Sequence, residues 1–435
     1  MRSLFLMDDQ AGLLTIKDKI LYILVVIFLV TFYPGHISSV NVVAVVLLAV
    51  YCFFLYNSFS EKISLLRRRK EVAAMAIFYL LHIVSSFFSK DQAEGFSWVV
   101  IRMPLFVFPV SIGLVYIKQP LKERIIYAYA VITTLAVLAC LIDASIRSVS
   151  SGDASLLYND NLTYLIDKQS IYIALLVNLA AFGFGYLIYT GSPVITKKGL
   201  VYVCFFILLV ANFLLASRIA IIILYGSIIL VAVWRALQKK KFRQLGLVVV
   251  GIAAAGLLLV NLFPKTLNRF RELGYTSYEF THQGVESHFN RDEVTSDQWN
   301  GANIRLAVWS CGWELVKQQP VLGVQLGDKV ERLMEVYAAR HFDFAYNSRR
   351  NMHNNYLDVL VTFGIVGLLL FLWAFLFEPL RHCIRNKDFF GIFVIVAFML
   401  SFVPETYFDR SVGNMIFAFF IAFIVSYREP VAKAG

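Results

Sequence analysis

Charged residues are scarce in this sequence of 435 residues. Asp, Glu, Lys and Arg make up 16% of it, whereas 59% is hydrophobic and the mean hydropathy is +0.69. Soluble globular domains average about 25% charged residues. The composition therefore excludes an ordinary soluble protein and predicts an all-α membrane protein with many spans.

Cysteine is scarce too, with five in the chain. Four lie in apolar runs or in a basic loop: Cys52, Cys140, Cys204 and Cys383. Only Cys311 falls in the long polar segment, which excludes an internal disulfide there. No small-residue cleavage site follows the first apolar core, so residues 1–20 are expected to be a cytoplasmic amphipathic leader.

Apolar stretches of about 17 to 25 residues, long enough to cross a bilayer, recur along the chain. They predict twelve spans, of which the first and the last two are short: 20–34, 39–57, 72–88, 97–117, 125–145, 169–190, 200–216, 219–235, 245–263, 353–377, 389–404 and 411–427. The chain is thus divided into spans 1 to 9 (1–263), a loop domain (264–352) and spans 10 to 12 (353–435).

Basic residues are distributed unevenly between the two sides of these spans. With the N-terminus in the cytoplasm, cytoplasmic segments hold 23 Lys and Arg, whereas the short outer segments hold 6. This asymmetry follows the positive-inside rule and predicts that both termini are cytoplasmic. The formal charge of +11 therefore reflects the membrane topology and does not indicate a nucleic-acid partner.

The segment 264–352 carries 11 basic and 11 acidic residues. It is predicted to lie outside, because long loops translocate largely regardless of charge. The stretch ANIRLAVWSCGWELVKQQP places apolar residues at helical spacing: Ile304, Ala307, Val308, Cys311 and Leu315. GDKVERLMEVYAARH predicts a second amphipathic helix, and both are expected to rest on the outer membrane surface. In HQGVESH, His282, Glu286 and His288 would not share a helix face, and no metal site is predicted.

Ionisable residues are nearly absent from the middle of the predicted spans, where each would cost at least about 2.5 to 3.5 kcal/mol. Polar residues gather instead at outer ends, which disfavours a transporter and suits an enzyme acting at the outer face on a lipid-anchored substrate. Four positions stand out: Arg102, Arg218, Arg305 and His353. Each also has a purely structural interpretation. Arg102 could extend its charged group to the membrane interface, Arg218 could cap a helical hairpin, and Arg305 could be solvated at the surface. His353 could form a local hydrogen bond with the backbone.

Three stretches carry a family resemblance: LLASRIAIIIL, NIRLAVWSCGWELVKQQPVLGVQLGD and HNNYLDVLVTFGIVGLL. In this order they resemble the O-antigen ligase and O-antigen polymerase family of bacterial envelope glycan biosynthesis. The resemblance implies a lipid-linked glycosyltransferase (GT-C-like) fold in the bacterial inner membrane and a periplasmic active site. It implies transfer of a glycan from undecaprenyl pyrophosphate to an acceptor hydroxyl, and Arg218, Arg305 and His353 fall on matching positions. Where relatives often have His-Pro-x-Tyr, this chain has DKQSIYIAL, in which Tyr172 remains as a candidate acceptor contact.

Glycosyl transfer from a diphosphate needs fixed positive charge at the leaving oxygens. Many glycosyltransferases hold a divalent metal with Asp-x-Asp, a motif this sequence lacks, so no metal or other cofactor is predicted. Arginine provides a permanent charge and bidentate hydrogen bonds. Arg218 and Arg305 are assigned to the pyrophosphate, with Arg102 as a weaker third.

The acceptor hydroxyl needs a base. His353 is predicted to be that base, kept neutral by the helix dipole and by the nearby arginines. Asn354 and Tyr356 are predicted to hold sugar hydroxyls, while Asn355 and Asp358 are assigned to capping and packing. A single displacement of the diphosphate by the acceptor hydroxyl predicts inversion of configuration at C1 of the transferred sugar.

Two alternatives stay open from the sequence. A ligase would use the lipid A core of lipopolysaccharide as its acceptor, whereas an O-antigen or exopolysaccharide polymerase would join two lipid-linked glycans. From another class, a glycan-lipid flippase or transporter would also have many spans, but it would be expected to show internal repeats and charged mid-membrane helices.

Overall fold

The computed structural model describes residues 14–240, 242–262, 266, 270–281, 286 and 299–427. In these parts of the chain the fold is helical, and the one β-type contact is an isolated bridge between Ile117 and Tyr427. The α-helices are α1 (Ile16–Phe32), α2 (Ser38–Val50), α3 (Phe59–Arg68), α4 (Lys70–Phe88), α5 (Gln92–Ile101), α6 (Pro104–Ser111), α7 (Gln119–Ser151), α8 (Asn159–Leu162), α9 (Ser170–Tyr189), α10 (Lys198–Leu214), α11 (Arg218–Lys239), α12 (Phe242–Leu262), α13 (Asn303–Gln318), α14 (Lys329–Ala339), α15 (Asp343–Asn347), α16 (Asn355–Leu372), α17 (Glu378–Arg385), α18 (Phe389–Ser401) and α19 (Ser411–Ser426).

Helices lie at all twelve positions predicted to be spans, which confirms an all-α membrane protein. In the described ranges, six helical stretches are long and apolar enough to cross a membrane: Gly35–Tyr56, Lys70–Phe88, Gln119–Ser151, Ser170–Tyr189, Arg218–Lys239 and Asn355–Arg385. The bent pair α5 and α6 raises this to seven, and α10, α18 and α19 are shorter apolar helices. Twelve crossings stay a prediction.

The fourth predicted span is bent by 41° between α5 and the helix that follows it. Pro104 opens α6 and has no backbone N–H, so a continuous helix cannot run through this point. Arg102 lies at the break, as the C-cap of α5. The bend directs its side chain into the protein, where the guanidinium is fully buried.

The turn after α13 docks on a break inside α16. Val324 N donates to Val361 O at 2.8 Å, and Ile365 N donates to Pro320 O at 2.9 Å. Gly364 has φ +64, a left-handed conformation that disfavours side chains, and a Cβ on Gly323 would lie 2.5 Å from Thr362. The glycines of this segment therefore permit two backbones to approach each other closely.

The apolar face predicted for α13 is buried against other helices of the protein, and the expected position on the outer membrane surface stays a prediction. Ile304, Ala307, Val308, Cys311 and Leu315 are at most 3% exposed and form a small core with α14 and α15. Leu357 and Val361 of α16 belong to the same core. The loop helices α13, α14 and α15 therefore pack against the start of α16, the tenth predicted span. This packing fixes the position of α13 relative to α16.

Candidate functional site

A cavity of about 390 Å³ opens where α9, α11 and α13 meet the segment between α18 and α19. Its lining is mostly apolar: Ser170, Ile171, Leu215, Ser217, Arg218, Ile219, Ile222, Leu273, Thr276, Gly301, Ala302, Arg305, Leu306, Trp309, Val403 and Pro404. Among the residues that the structure describes, its only ionisable lining residues are two arginines. We call it the arginine cavity; its size falls within the range of small-ligand pockets, about 300–1,000 Å³.

Arg218 and Arg305 converge on Gly301 in this cavity. A Cβ added to Gly301 would lie 2.7 Å from Nη2 of Arg218 and 3.2 Å from Nη1 of Arg305. Arg305 Nη1 also donates to the Gly301 carbonyl. The absence of a side chain at Gly301 thus creates the space in which the two guanidinium groups meet.

Arg218 is held by the start of α11, of which it is the first residue. Its Nη1 lies 3.5 Å from Oε2 of Glu272. Within the same helical turn, the Ala220 carbonyl accepts a hydrogen bond of 2.8 Å from the buried amide of Asn178. Asn178 in turn accepts a bond of 2.6 Å from Asn212. These bonds join α9 and α10 to the turn that presents Arg218.

Arg305 lies in the first turn of α13 and is anchored at both ends of its guanidinium. Nε donates to the carbonyl of Pro404 at 2.9 Å, while Nη1 bonds to Gly301. Burial lowers the pKa of Arg305, and the nearby carboxylates of Glu405 and Glu286 oppose that shift. Arginine remains a cation under such conditions, so the cavity holds a fixed positive charge.

His353 lies just before α16 with a left-handed backbone (φ 43). Its backbone N–H donates to Oδ1 of Asn351 at 3.1 Å. The preceding carbonyl, of Met352, accepts a bond of 3.0 Å from the indole N–H of Trp309. The segment that carries His353 is therefore tied to α13, the helix that carries Arg305.

The imidazole of His353 contacts a carboxylate that the sequence analysis did not single out. Nδ1 lies 3.3 Å from Oε2 of Glu405. Burial alone would raise the pKa of Glu405, but the hydrogen bond with His353, the charge of Arg305 and the backbone N–H of Thr406 outweigh it and lower the pKa. Glu405 follows the carbonyl that binds Arg305, so one short segment connects the imidazole with the arginine pair.

The sequence did contain a signal for this segment. FVPETYFDR, residues 402–410, places two acidic residues between two predicted spans, on the side assigned to the outside. Of these charged residues, only Arg410 bears on the positive-inside rule, which depends on Lys and Arg. Acidic residues contribute little to topology, yet here Glu405 and Asp409 both contact candidate site residues.

Arg102 is not brought together with the arginine pair. Its Nη2 lies 3.0 Å from Asp358 and 3.3 Å from Asp409, and Lys329 lies 2.8 Å and 2.6 Å from the same two carboxylates. His82, in the third predicted span, lies 3.3 Å from Arg102. Arg102, Lys329, Asp358 and Asp409 form a buried ion cluster. Arg102 therefore has no exposed face for a diphosphate, contrary to its assignment as a third pyrophosphate ligand.

The other three predicted substrate contacts are engaged in local structure. The side-chain oxygen of Asn354 accepts from Leu357 N at 3.0 Å and caps α16, the role expected for Asn355. The hydroxyl of Tyr356 donates to Met399 O at 2.7 Å. Tyr172 is 3% exposed and packs against the ring of Tyr407. Their roles toward a sugar stay predictions.

His282 and His288 lie outside the described residues. Among the residues that are described, no group of three or more His, Cys, Asp or Glu side chains is placed to hold a metal ion.

The arrangement can be compared with known proteins. Residues 203–372 match the family model described as O-antigen ligase. The matched range starts in α10 and ends with α16; it includes Arg218, Arg305 and His353, whereas Glu405 lies beyond it. No curated protein matches the chain. The family match confirms, over residues 203–372, the resemblance found in the sequence.

Proposed function

We propose that this protein moves a glycan from undecaprenyl pyrophosphate to an acceptor hydroxyl at the periplasmic face of the bacterial inner membrane. The acceptor proposed is the lipid A core, as in a ligase. The observation that carries the proposal is the meeting of Arg218 and Arg305 at Gly301, inside a cavity with apolar walls. A lipid diphosphate is complementary to both features, because its apolar chain suits the apolar walls and its multiply charged anionic head suits the two arginines.

The two guanidinium groups are proposed to bind the diphosphate. When the bond between the sugar C1 and the phosphate oxygen breaks, its electrons pass to the diphosphate, whose negative charge increases. Fixed cations stabilise that charge without reorganising, and they do so more strongly where water is excluded. Arg305 is held by Pro404 and Gly301, so its orientation is set before the substrate binds.

His353 and Glu405 are proposed to activate the acceptor. Glu405 would accept the proton on Nδ1, which leaves the lone pair of Nε2 for the acceptor hydroxyl; carboxylates commonly orient a catalytic histidine in this way. The acceptor oxygen forms its bond to C1 as the diphosphate leaves, and Nε2 takes the hydroxyl proton. The reaction balances with no further reactant, and attack opposite the leaving group gives inversion at C1.

The first test is transfer by the purified full-length protein in metal chelator, with lipid-linked donor and the acceptor glycolipid. His353→Asn removes the imidazole and keeps a residue that tolerates a left-handed backbone. His341→Asn is the matched control, because His341 also has positive φ (54) and is exposed. Transfer should fall by about 100-fold or more in the first variant and stay at the wild-type rate in the second.

A second pair of variants tests the arginines. Arg305→Lys keeps the charge but loses the planar fork. Arg332→Lys makes the same change at a partly exposed position of α14 that lines neither cavity. Transfer should fall only in the first. Equal activity of both lysine variants would remove Arg305 from the diphosphate site, and wild-type protein that moves the lipid-linked glycan across vesicles without joining it to the acceptor would favour a flippase.

A deletion strain distinguishes the ligase from the polymerase. Loss of a ligase leaves lipid A core without O-antigen and allows long lipid-linked chains to accumulate. Single repeat units on the core would instead identify a polymerase. Electrophoresis of lipopolysaccharide and mass spectrometry of the lipid-linked fraction provide the two readouts.

A further inference from the structure

A second cavity lies beside the first. It has a volume of about 320 Å³, and we call it the Trp98 cavity. Residues from four separate segments line it, among them Glu94, Trp98, Lys329, Asn351, Asp409 and Arg410. None of the residues predicted from the sequence to touch the diphosphate or the acceptor lies in this lining.

The two cavities share one partition. Asn351 and Met352 line the Trp98 cavity, and the Met352 carbonyl is bound by Trp309, which lines the arginine cavity. The segment after α18 is arranged in the same way, because Pro404 lines the arginine cavity and Asp409 the Trp98 cavity. His353 follows Met352 and Glu405 follows Pro404, so both belong to these partition segments, although neither residue lines either cavity.

The charges of the Trp98 cavity differ from those of the arginine cavity. Asp358 and Asp409 are neutralised by Arg102 and Lys329 through contacts of 2.6 to 3.3 Å. The lining of the Trp98 cavity also includes Arg349, Arg350 and Arg410, so cations and carboxylates alternate there, whereas no described carboxylate lines the arginine cavity. The carboxylates of Glu94, Asp358 and Asp409 repel an anion, so a diphosphate head is favoured in the arginine cavity.

Two side chains of the Trp98 cavity are available to a ligand. Within the described part of the chain, the carboxylate of Glu94 and the guanidinium of Arg410 make no hydrogen bond or ion pair, although both line the cavity. Trp98 adds an aromatic wall. A carboxylate, a guanidinium and an indole together suit a sugar, because hydroxyl groups both donate and accept hydrogen bonds and the ring faces of sugars are apolar.

We infer that the Trp98 cavity binds the acceptor glycan, with Glu94 and Arg410 hydrogen-bonding its sugar hydroxyls. This inference rests on the proposed glycosyl transfer. The donor occupies the arginine cavity, the acceptor enters from the opposite side of the partition, and the two meet at His353. The arrangement keeps the lipid tail of the donor and the acceptor glycan on separate paths.

The experiment is a two-substrate kinetic analysis of the full-length protein in detergent. The probes are the native lipid-linked donor and the acceptor glycolipid purified from a strain deleted for this protein. Glu94→Gln and Arg410→Gln should each raise the KM for the acceptor about tenfold, the loss expected for one hydrogen bond to a charged group. The donor KM and kcat should stay at the wild-type values. Glu335→Gln, on the exposed side of α14, is the control and should change neither constant.

The outcomes separate the two proposals. Wild-type protein that transfers no glycan under any condition contradicts the proposed function itself. Wild-type protein that transfers, together with variants whose acceptor KM is unchanged, contradicts only the assignment of the Trp98 cavity. A rise of the donor KM in the Glu94 or Arg410 variants would assign this cavity to the donor and also overturn the inference.

Discussion

Nδ1 of His353 lies 3.3 Å from Oε2 of Glu405, although 52 positions separate the two residues in the chain. One residue precedes α16 and the other follows α18. The contact gives the histidine a defined orientation and places a negative charge beside it. Both properties matter for a base, because the imidazole becomes a cation when it takes the acceptor proton.

Replacing Glu405 tests this relationship directly. Glu405→Gln removes the charge that would stabilise the imidazolium, so kcat for glycan transfer should fall by about 100-fold, while the donor KM should stay near the wild-type value. Glu335→Gln makes the same chemical change at a surface position and should have no effect. A Glu405→Gln protein with wild-type kcat would show that the carboxylate takes no part in the reaction.

The lowered pKa of Glu405 predicts how stability depends on pH. A carboxyl whose pKa is lower in the folded state stabilises the fold above its unfolded pKa, about 4.3 for glutamate. That contribution is lost as the pH falls through the lowered folded pKa. Thermal unfolding of the wild type and of Glu405→Gln should therefore differ most at neutral pH and converge in acid. A difference that grows as the pH falls would contradict the sign of this shift.

Gly301→Ala should disturb the two arginines without removing either. The new Cβ would lie 2.7 Å from Arg218 Nη2 and 3.2 Å from Arg305 Nη1, so the guanidinium groups must shift. A displacement of about 1 Å at a reacting centre can cost 100-fold in rate, and a loss of that order in kcat/KM for the donor is expected. Gly274→Ala is the control, because a Cβ there meets nothing within 4 Å. Equal kinetics for the two variants would refute convergence at Gly301.

Gly364→Ala should destabilise the protein through the docked turn. Gly364 has φ +64, and its Cβ would overlap the backbone of Val321. Gly152 also has positive φ (+70), but a Cβ there meets nothing within 4 Å. Gly152→Ala should cost only the left-handed penalty, about 1–2 kcal/mol, and Gly364→Ala clearly more. Thermal unfolding followed by size-exclusion chromatography would measure both; similar losses would mean that the turn does not dock on α16.

Hydropathy and periodicity were sufficient to predict the helices of the bundle and the buried face of α13, because both patterns are local. The order of the three stretches that carry the family resemblance predicted that Arg218 and Arg305 act together. The structure brings the two side chains together at Gly301, and their role stays a prediction. The ion partners of Arg102 were not predictable in the same way. Asp358 and Asp409 follow it by 256 and 307 positions, and no spacing rule connects residues that meet only when distant helices pack. Glu405 was missed for a different reason: it lies between two predicted spans, where the topology rule depends on Lys and Arg and gives no weight to a glutamate.

The buried ion cluster also constrains how the molecule is made. Arg102 is synthesised long before Asp358 and Asp409, the two carboxylates that neutralise it, and a charge left without its partner in the interior costs about 3–5 kcal/mol. The segment that contains α5 and α6 therefore cannot settle in its final place until the last quarter of the chain has left the ribosome and entered the bilayer. A truncated nascent chain would keep this segment accessible to insertion factors and to quality-control proteases.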